Sequence, residues 1–352
     1  MSDRLYSTQR NWGTRIREVI YFGIRMLILE NELLRIAVLA GKGTDIVEIN
    51  YKPRDLDFVW LAPGGVRNPE TFAATAPDSK AAFRDNYPGG WQEIIPSGGA
   101  PSSFDGADYG LHGEVFNVPW DVTIVEDTPE VIAVRFTIRT RKSPLLVEKT
   151  IKLESGSAGF VIEESIKNES PNTARAMWGH HITFGPPFLT PGSQIRLPEG
   201  IMVTPHPEDV APGGRRVSGV SPFPWPHDPQ NGADLSLAPD QGASSDVVYL
   251  SGFREGEAWY EVVQKESGVG SRVEWDSSLM PYLWYWQEFG GSTGYPWHGR
   301  NYNIGLEPFS SYPSYGLAEA VSNNTALHLG SGQERKFWLR MDVIEESQSM
   351  KT

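Results

Sequence analysis

Histidine and glutamate are the main candidates for catalytic residues in this sequence, because it has seven histidines and no cysteine. Without cysteine, disulfides, thiolate metal sites and cysteine nucleophiles are excluded. His112, His181 and Glu307 each lie in an apolar, glycine-rich segment. Partial desolvation there is expected to raise the pKa of a carboxyl group towards that of a useful base, and histidine supplies the matching acid near neutral pH. The three segments together predict general acid–base chemistry.

Other reaction types lack their sequence signals. No Gly-x-Ser-x-Gly motif of the strand-to-helix type is present, which argues against a serine hydrolase. The spacings His-x-His and His-x-x-x-His are also missing. The adjacent His180 and His181 would point to opposite faces of a strand, so they could not easily bind one ion together. We therefore predict no metal site.

The elements that position these residues are strands, because apolar residues recur with a period of two. Alternation at residues 134–139, 147–154 and 160–166, with short links between them, predicts an antiparallel meander. Further strands are predicted at residues 18–22, 25–30, 33–39, 45–50 and 337–341. The whole pattern gives about 15 or more strands and one or two short helices. One of these helices is predicted over residues 72–83.

This count predicts an all-β fold, a single large twisted antiparallel β-sandwich with one or two short helices. We expect residues 1–352 to form one domain, with an ordered core at about 18–342 and a polar tail at 343–352. Residues 185–241 are dense in proline and glycine. Long irregular loops in compact domains are commonly functional, so this segment predicts an excursion over one face of the sandwich.

The charge and hydropathy of the chain indicate which kinds of partner it can bind. The chain has 31 basic and 44 acidic residues and a net charge of −13, and no cluster of basic residues forms the face that nucleic-acid binding requires, so we predict no nucleic-acid partner. The start lacks a secretory signal, and no stretch approaches the roughly 18 apolar residues of a membrane helix. These features predict a soluble cytoplasmic protein with no membrane partner. The composition does not predict an oligomeric state.

Aromatic residues are expected to line a cleft. The chain has 12 tryptophans, and indole rings near polar loops can stack on the faces of sugars. Trp91, Trp286 and Trp297 adjoin the polar segments. We expect these three rings to form an aromatic wall.

Three motifs in order carry a resemblance to a known family. Gly-Leu-His-Gly at 110–113, His-Ile-Thr-Phe-Gly at 181–185 and Gly-Leu-Glu-Pro at 305–308 resemble the motifs of the aldose 1-epimerases, or galactose mutarotase-like proteins. The resemblance extends over nearly the whole chain. It implies the galactose mutarotase-like supersandwich, with a cleft across one sheet. It also implies an isomerase that interconverts the anomers of a free sugar or sugar derivative, with a small-molecule carbohydrate as partner and no cofactor.

The resemblance also implies roles for individual residues. Glu307 is the base that takes the proton of the anomeric hydroxyl, and His181 is the acid that protonates the ring oxygen. The ring then opens to the aldehyde, rotates about C1–C2 and closes to the other anomer. We expect the reacting atoms of the two side chains to lie about one sugar ring apart. His181 is preferred to His180 because it has the family's His-x-x-Phe spacing.

Residues beside these motifs are expected to contact the sugar. They are His112, His180, Arg84, Trp91, Gln92, Glu93, Trp286 and Gln287. The family's Asn-Arg pair ahead of the first histidine is not evident in this chain, and Arg84, Asp85 and Asn86 are only a loose substitute.

Three alternative functions fit the same pattern. A hexose-phosphate epimerase would need basic groups near the cleft, for which the candidates are Arg84, Arg175 and Arg300. A glycoside hydrolase would need two carboxylates about 5 to 9.5 Å apart, with Glu93 or Glu288 as the partner of Glu307. A non-catalytic carbohydrate-binding protein would keep the aromatic cleft without turnover.

Overall fold

The computed structural model describes residues 9–71, 78–242 and 244–346. Strands make up 46% of the structure and helices 5%, which confirms the all-β prediction. Two helices are present in the described ranges, α1 (Ser79–Asn86) and α2 (Leu317–Ser322), together with a 3-10 turn at Lys52–Arg54. Neither helix is long and apolar enough to cross a membrane.

Two large antiparallel sheets contain most of the strands. The larger sheet has twelve strands: β1 (Arg15–Tyr21), β2 (Ile24–Glu30), β3 (Leu34–Leu39), β4 (Asp45–Tyr51), β5 (Leu56–Asp57), β6 (Trp91–Ile94), β14 (Gly179–Phe184), β16 (Met202–Pro205), β17 (Phe223–Pro224), β18 (Ser245–Ser251), β21 (Tyr282–Glu288) and β22 (Asn303–Phe309). The smaller sheet has eight: β9 (Asp121–Asp127), β10 (Val131–Arg139), β11 (Leu145–Glu154), β12 (Gly159–Asn168), β15 (Gln194–Arg196), β19 (Trp259–Val263), β20 (Val269–Trp275) and β24 (Glu334–Glu345). Two separate pairs are β7 (Ser102–Phe104) with β8 (Ala107–Tyr109), and β13 (Ala174–Ala176) with β23 (Leu327–Leu329).

The order of strands places distant segments side by side. In the larger sheet it is β1-β2-β3-β4-β6-β14-β22-β21-β18-β16-β17, and β5 pairs with β4. In the smaller sheet it is β15-β19-β20-β24-β12-β11-β10-β9. The meander expected from residues 134–166 is present as β10, β11 and β12, in which Val134 pairs with Ile151 and Ile151 with Ile162.

The main core lies between the two sheets, because each sheet turns alternate residues inward. Ile36 and Ile182 from the larger sheet and Ile151 and Leu339 from the smaller sheet are wholly buried in one apolar cluster. The opposite face of the larger sheet is covered in part by the helices. Phe83 of α1 packs in a second cluster and Leu317 of α2 in a third.

Two predicted boundaries are corrected by the structure. The helix expected at 72–83 begins at Ser79 and ends at Asn86, and residues 72–77 lie outside the described ranges. Asp78 caps it, since its side chain accepts a hydrogen bond from the amide of Ala81 at 2.9 Å and satisfies a free N–H of the first turn. The expected tail also starts too early. Glu345 pairs with Val269, so residues 343–345 belong to the smaller sheet.

A network of ionisable side chains crosses the core. Glu93 and His180 come from the larger sheet, and Lys149 and Glu164 come from the smaller one. His180 Nε2 lies 3.1 Å from Glu164 Oε2, and Lys149 Nζ lies 3.5 Å from Glu93 Oε2. All four side chains are fully buried. The pKa of Glu93 and that of Glu164 are each raised to about 7, mainly by burial, and the neighbouring Glu164 charge contributes to the rise at Glu93.

This network predicts a specific dependence of stability on pH. A raised carboxyl pKa means that the folded state holds protons that the unfolded state releases above pH 4.5. The stability that these groups contribute is therefore full below pH 4.5 and is lost as the pH rises to about 7. Glu164→Gln should show a smaller fall in the free energy of unfolding over this range, measured by denaturant titration.

The matched control is Glu163→Gln, because Glu163 is the exposed neighbour on the opposite face of β12. It should keep the pH dependence of the unaltered protein. Equal slopes for Glu164→Gln and the unaltered protein would contradict the assignment.

Candidate active site

A cleft of about 390 Å³ lies on the outer face of the larger sheet. Its floor comes from the central strands β14, β21 and β22, and its walls come from α1 and from the loops after β16 and β22. The lining includes His112, His181, His206, Glu307, Trp286 and Trp297. The cleft therefore collects residues from all three sequence motifs.

The register of β14 and β22 brings His181 and Glu307 together. Thr183 pairs with Gly305 and Gly179 with Phe309, which places His181 opposite Glu307. His181 Nε2 lies 3.7 Å from Glu307 Oε1, and the side chains are only 7% and 3% exposed. The expected separation of one sugar ring is wrong, because the two side chains occupy adjacent strands rather than opposite walls.

Gly305 leaves the space that the Glu307 carboxyl group occupies. The two residues lie on the same face of β22, two positions apart. A Cβ at residue 305 would lie 2.5 Å from Glu307 Oε1 and 3.3 Å from Trp286 Cβ. The glycine of the Gly-Leu-Glu-Pro motif therefore permits the observed position of the carboxyl group.

Burial controls the protonation of the pair. Desolvation raises the pKa of Glu307 well above its usual value. Desolvation, with a further contribution from His112, lowers the pKa of His181 well below its usual value. A carboxylic acid beside a neutral imidazole is therefore favoured in the unliganded cleft. The pair holds one proton that one partner can give while the other accepts.

The loop before β9 holds His112 by backbone geometry. Its φ is 60°, in the left-handed region that few residues other than glycine adopt. The Gly99 amide donates to His112 Nδ1 at 3.3 Å, so the proton of the neutral ring lies on Nε2. Burial, with a contribution from the Arg84 charge, lowers the His112 pKa to about 4. His112 is thus a neutral hydrogen-bond donor at physiological pH.

Two cleft residues were not anticipated from the motifs. The Tyr87 hydroxyl lies 3.3 Å from His181 Nδ1, where it can orient the imidazole ring. His206 Nδ1 lies 2.6 Å from the Tyr249 hydroxyl, which contacts Ser314 Oγ at 2.7 Å. Their sequence signals are weak: Tyr87 directly follows α1, and His206 lies in the proline- and glycine-rich excursion.

The aromatic wall differs from the expected one. Trp286 and Trp297 line the cleft with ring centroids 6.3 Å apart, and Trp284 lines it as well. Trp91 does not. It takes an inward-facing position of β6 and is buried between the sheets, where its Nε1 donates to His180 Nδ1 at 3.0 Å.

Four other expected sugar contacts also lie outside the cleft. His180 and Glu93 point into the core network, because the strand alternation that turns His181 outward turns them inward. Gln287 is buried and accepts a hydrogen bond from Arg216 at 2.7 Å. Gln92 shares the outer face with His181, but it is fully buried and donates to Asp45 Oδ2 at 2.9 Å. Of the remaining expected contacts, Arg84 and His112 line the cleft.

Among the described residues, one cluster has donor atoms close enough together for a metal ion. The donor atoms of Glu93, Glu164 and His180 lie within 4.8 Å of one another. Because Trp91 donates to His180 Nδ1, the proton of the neutral ring lies on Nε2, the atom that faces Glu164. A protonated nitrogen cannot bind a metal, and Lys149 adds a positive charge. These features suit a proton-sharing network of buried side chains.

The fold is that of the galactose mutarotase-like proteins. A provisional aldose 1-epimerase from Klebsiella pneumoniae subsp. pneumoniae is 18% identical, with a TM-score of 0.77 over 96% of this chain and 85% of the other. A galactose mutarotase-like protein from Clostridium acetobutylicum is 13% identical, with a TM-score of 0.64 over 95% and 99%. One from Lactobacillus casei is 17% identical, with a TM-score of 0.56 over 91% and 100%. These identities establish the fold alone.

The sequence itself places the chain in a family. Residues 22–343 match the family described as a domain of unknown function, DUF4432, and the chain belongs to that family. A search of the curated proteins finds no match.

Gly305→Ala should displace the Glu307 carboxyl group, because the added methyl group would lie 2.5 Å from Oε1. The displaced atom is the end of a flexible side chain, so the fold should be retained. A crystal structure should show a changed distance between Glu307 Oε1 and His181 Nε2. Gly294→Ala is the control, since a Cβ there meets nothing within 4 Å. An unmoved carboxyl group in Gly305→Ala would contradict this role.

Proposed function

We propose that this protein is an aldose 1-epimerase-like isomerase that interconverts the anomers of a free sugar or sugar derivative. Glu307 and His181 are its proton-transfer pair. The observation that carries the proposal is the 3.7 Å separation of His181 Nε2 and Glu307 Oε1 in the cleft. The fold shared with galactose mutarotase-like proteins supports it.

The short separation suits the chemistry of ring opening. One group must remove the proton of the anomeric hydroxyl while another delivers a proton to the ring oxygen. Both oxygens are bonded to the anomeric carbon, so the acid and the base must reach neighbouring atoms. Side chains that face each other across a whole sugar ring would not do so.

The single proton of the pair supports turnover in both directions. The family resemblance assigns Glu307 as base and His181 as acid, whereas burial favours the arrangement with the proton on Glu307. In either arrangement one proton leaves the pair and one enters it during ring opening. Ring closure reverses both transfers, and the pair returns to its initial state. The reaction consumes no cofactor.

The surrounding residues suit a sugar ring. Trp286 and Trp297 offer aromatic faces for stacking against C–H groups. His112 presents a neutral N–H donor, and Tyr87 supports the imidazole of His181. Apolar faces with a few placed polar groups are the usual composition of a small-ligand site.

A glycoside hydrolase is less well supported. Neither carboxylate expected to partner Glu307 lines the cleft. Glu93 lies in the core network, and Glu288 accepts hydrogen bonds from the hydroxyls of Ser245 and Ser292. A binding protein without turnover would have no need for a desolvated acid–base pair.

Glu307→Gln should reduce anomer exchange by about 10² to 10⁴-fold, because the amide keeps the shape but cannot transfer the proton. Since burial keeps Glu307 neutral, the melting temperature should change little. His181→Asn should behave similarly. The measurement is exchange NMR on a panel of aldoses, with His328→Asn, an exposed histidine outside the cleft, as control. Undiminished exchange in Glu307→Gln would exclude it from the reaction and favour a binding module.

The pH profile should show a broad plateau. Activity is lost at low pH when His181 takes a second proton, and its lowered pKa moves this limb well below pH 6.5. Activity is lost at high pH when Glu307 gives up the last proton, and its raised pKa moves that limb well above pH 4.5. The measurement is kcat/KM for anomer exchange against pH, corrected for the uncatalysed rate. A single transition centred at pH 6.5, the ordinary value for histidine, would contradict a desolvated pair.

A further inference from the structure

We infer that the sugar carries an anionic group, which Lys80 and Arg84 hold at the mouth of the cleft. The inference rests on the proposed function and names the substrate class. That class is an aldose with a carboxylate or phosphate substituent remote from its anomeric carbon. Carboxylate and phosphate share the chemistry that these cations recognise.

Both cations project from one side of α1. Lys80 and Arg84 are four residues apart, the spacing that places side chains on one face of a helix. Both line the cleft, and both line an adjoining open groove of about 600 Å³ beside Tyr295. The charge of Arg84 contributes to the lowered pKa of His112, so its field reaches the interior of the cleft.

Neither cation forms an ion pair within the described part of the chain. Among the described residues, no carboxylate lies within 4.0 Å of Lys80 or Arg84, although most other arginines are in ion pairs. The acidic residues next to them on the chain have other partners. Asp78 caps α1, and Asp85 accepts a hydrogen bond from the Tyr295 hydroxyl.

The like charges of Lys80 and Arg84 destabilise α1. Cations at positions i and i+4 of a helix repel each other and destabilise it. A bound anion would remove this repulsion. The chain as a whole carries a net charge of −13 and would repel anions, so two unpaired cations beside the cleft give an anionic ligand a local point of attraction.

The two carboxyl groups that line the cleft form no ion pair with Lys80 or Arg84. Asp209 is well exposed and lies 3.9 Å from Arg215. At the floor, burial keeps Glu307 neutral in the unliganded cleft. With the anomeric carbon at Glu307 and His181, a substituent on the far side of the sugar points towards the mouth. Of the three arginines expected to serve a phosphate, Arg84 lines the cleft, whereas Arg175 and Arg300 do not.

The test compares matched neutral and anionic sugars. Exchange NMR would measure kcat/KM for galactose and glucose, for galacturonate and glucuronate, and for the two hexose 6-phosphates. The unaltered protein should prefer an anionic series over the neutral sugars, and the preference should weaken as salt is added. The series that exchanges fastest identifies carboxylate or phosphate. A preference for the neutral sugars would overturn the inference and leave the proposed function standing.

The variant Lys80→Gln/Arg84→Gln should lower the ratio of anionic to neutral kcat/KM by about tenfold. The control is Lys336→Gln/Arg254→Gln, which removes the same charge from two exposed positions outside the cleft. It should leave the ratio unchanged. An equal ratio in the two double variants would overturn the inference.

A binding measurement tests this inference independently of the proposed function. If no sugar exchanges, the isomerase proposal fails, and the cation pair is judged by melting shifts with galacturonate and galactose. The anion site stands if galacturonate raises the melting temperature of the unaltered protein more than galactose does, and if Lys80→Gln/Arg84→Gln removes that difference. It falls if the two shifts are equal, or if the difference survives in the double variant.

Discussion

The alternation of side chains along β14 is the constraint on which both the core and the cleft depend. Adjacent residues of a strand point to opposite faces, so His180 enters the core network when His181 enters the cleft. The first contact joins the larger sheet to the smaller one, and the second joins β14 to β22. A shift of one residue in register would exchange the two histidines and disrupt both sets of contacts. The chemistry of the cleft is thus tied to the packing beneath it.

The low polarity of the core and of the cleft has the same effect on the buried carboxyl groups in both. A buried carboxylate without a partner is costly, and the protein avoids isolated charges by sharing protons. In the core, Glu93 and Glu164 titrate near neutrality beside Lys149 and a neutral His180. In the cleft, burial favours a neutral Glu307 beside a neutral His181. The first set is sealed between sheets, and only the second lies where a ligand can reach it.

Much of the fold could be predicted from sequence, because β10, β11 and β12 have one wet face and alternate clearly between polar and apolar residues. The central strands β6 and β14 are buried on both faces, so their polar residues could not be assigned to a face. This explains the misplaced Trp91 and Glu93. The pairing of β14 with β22 joins segments over 100 residues apart. No local pattern predicts such a pairing, and it was anticipated only through the family motifs.

Floor and walls of the cleft come from different kinds of structure. The floor residues lie on hydrogen-bonded central strands, whereas α1 and the loop after β16 contribute wall residues such as Arg84 and Asp209. Substitutions, insertions and deletions in surface loops are tolerated more readily than changes in central strands. On the proposed function, changes in the wall segments can therefore alter the substrate preference while Glu307 and His181 stay in register on the same sheet.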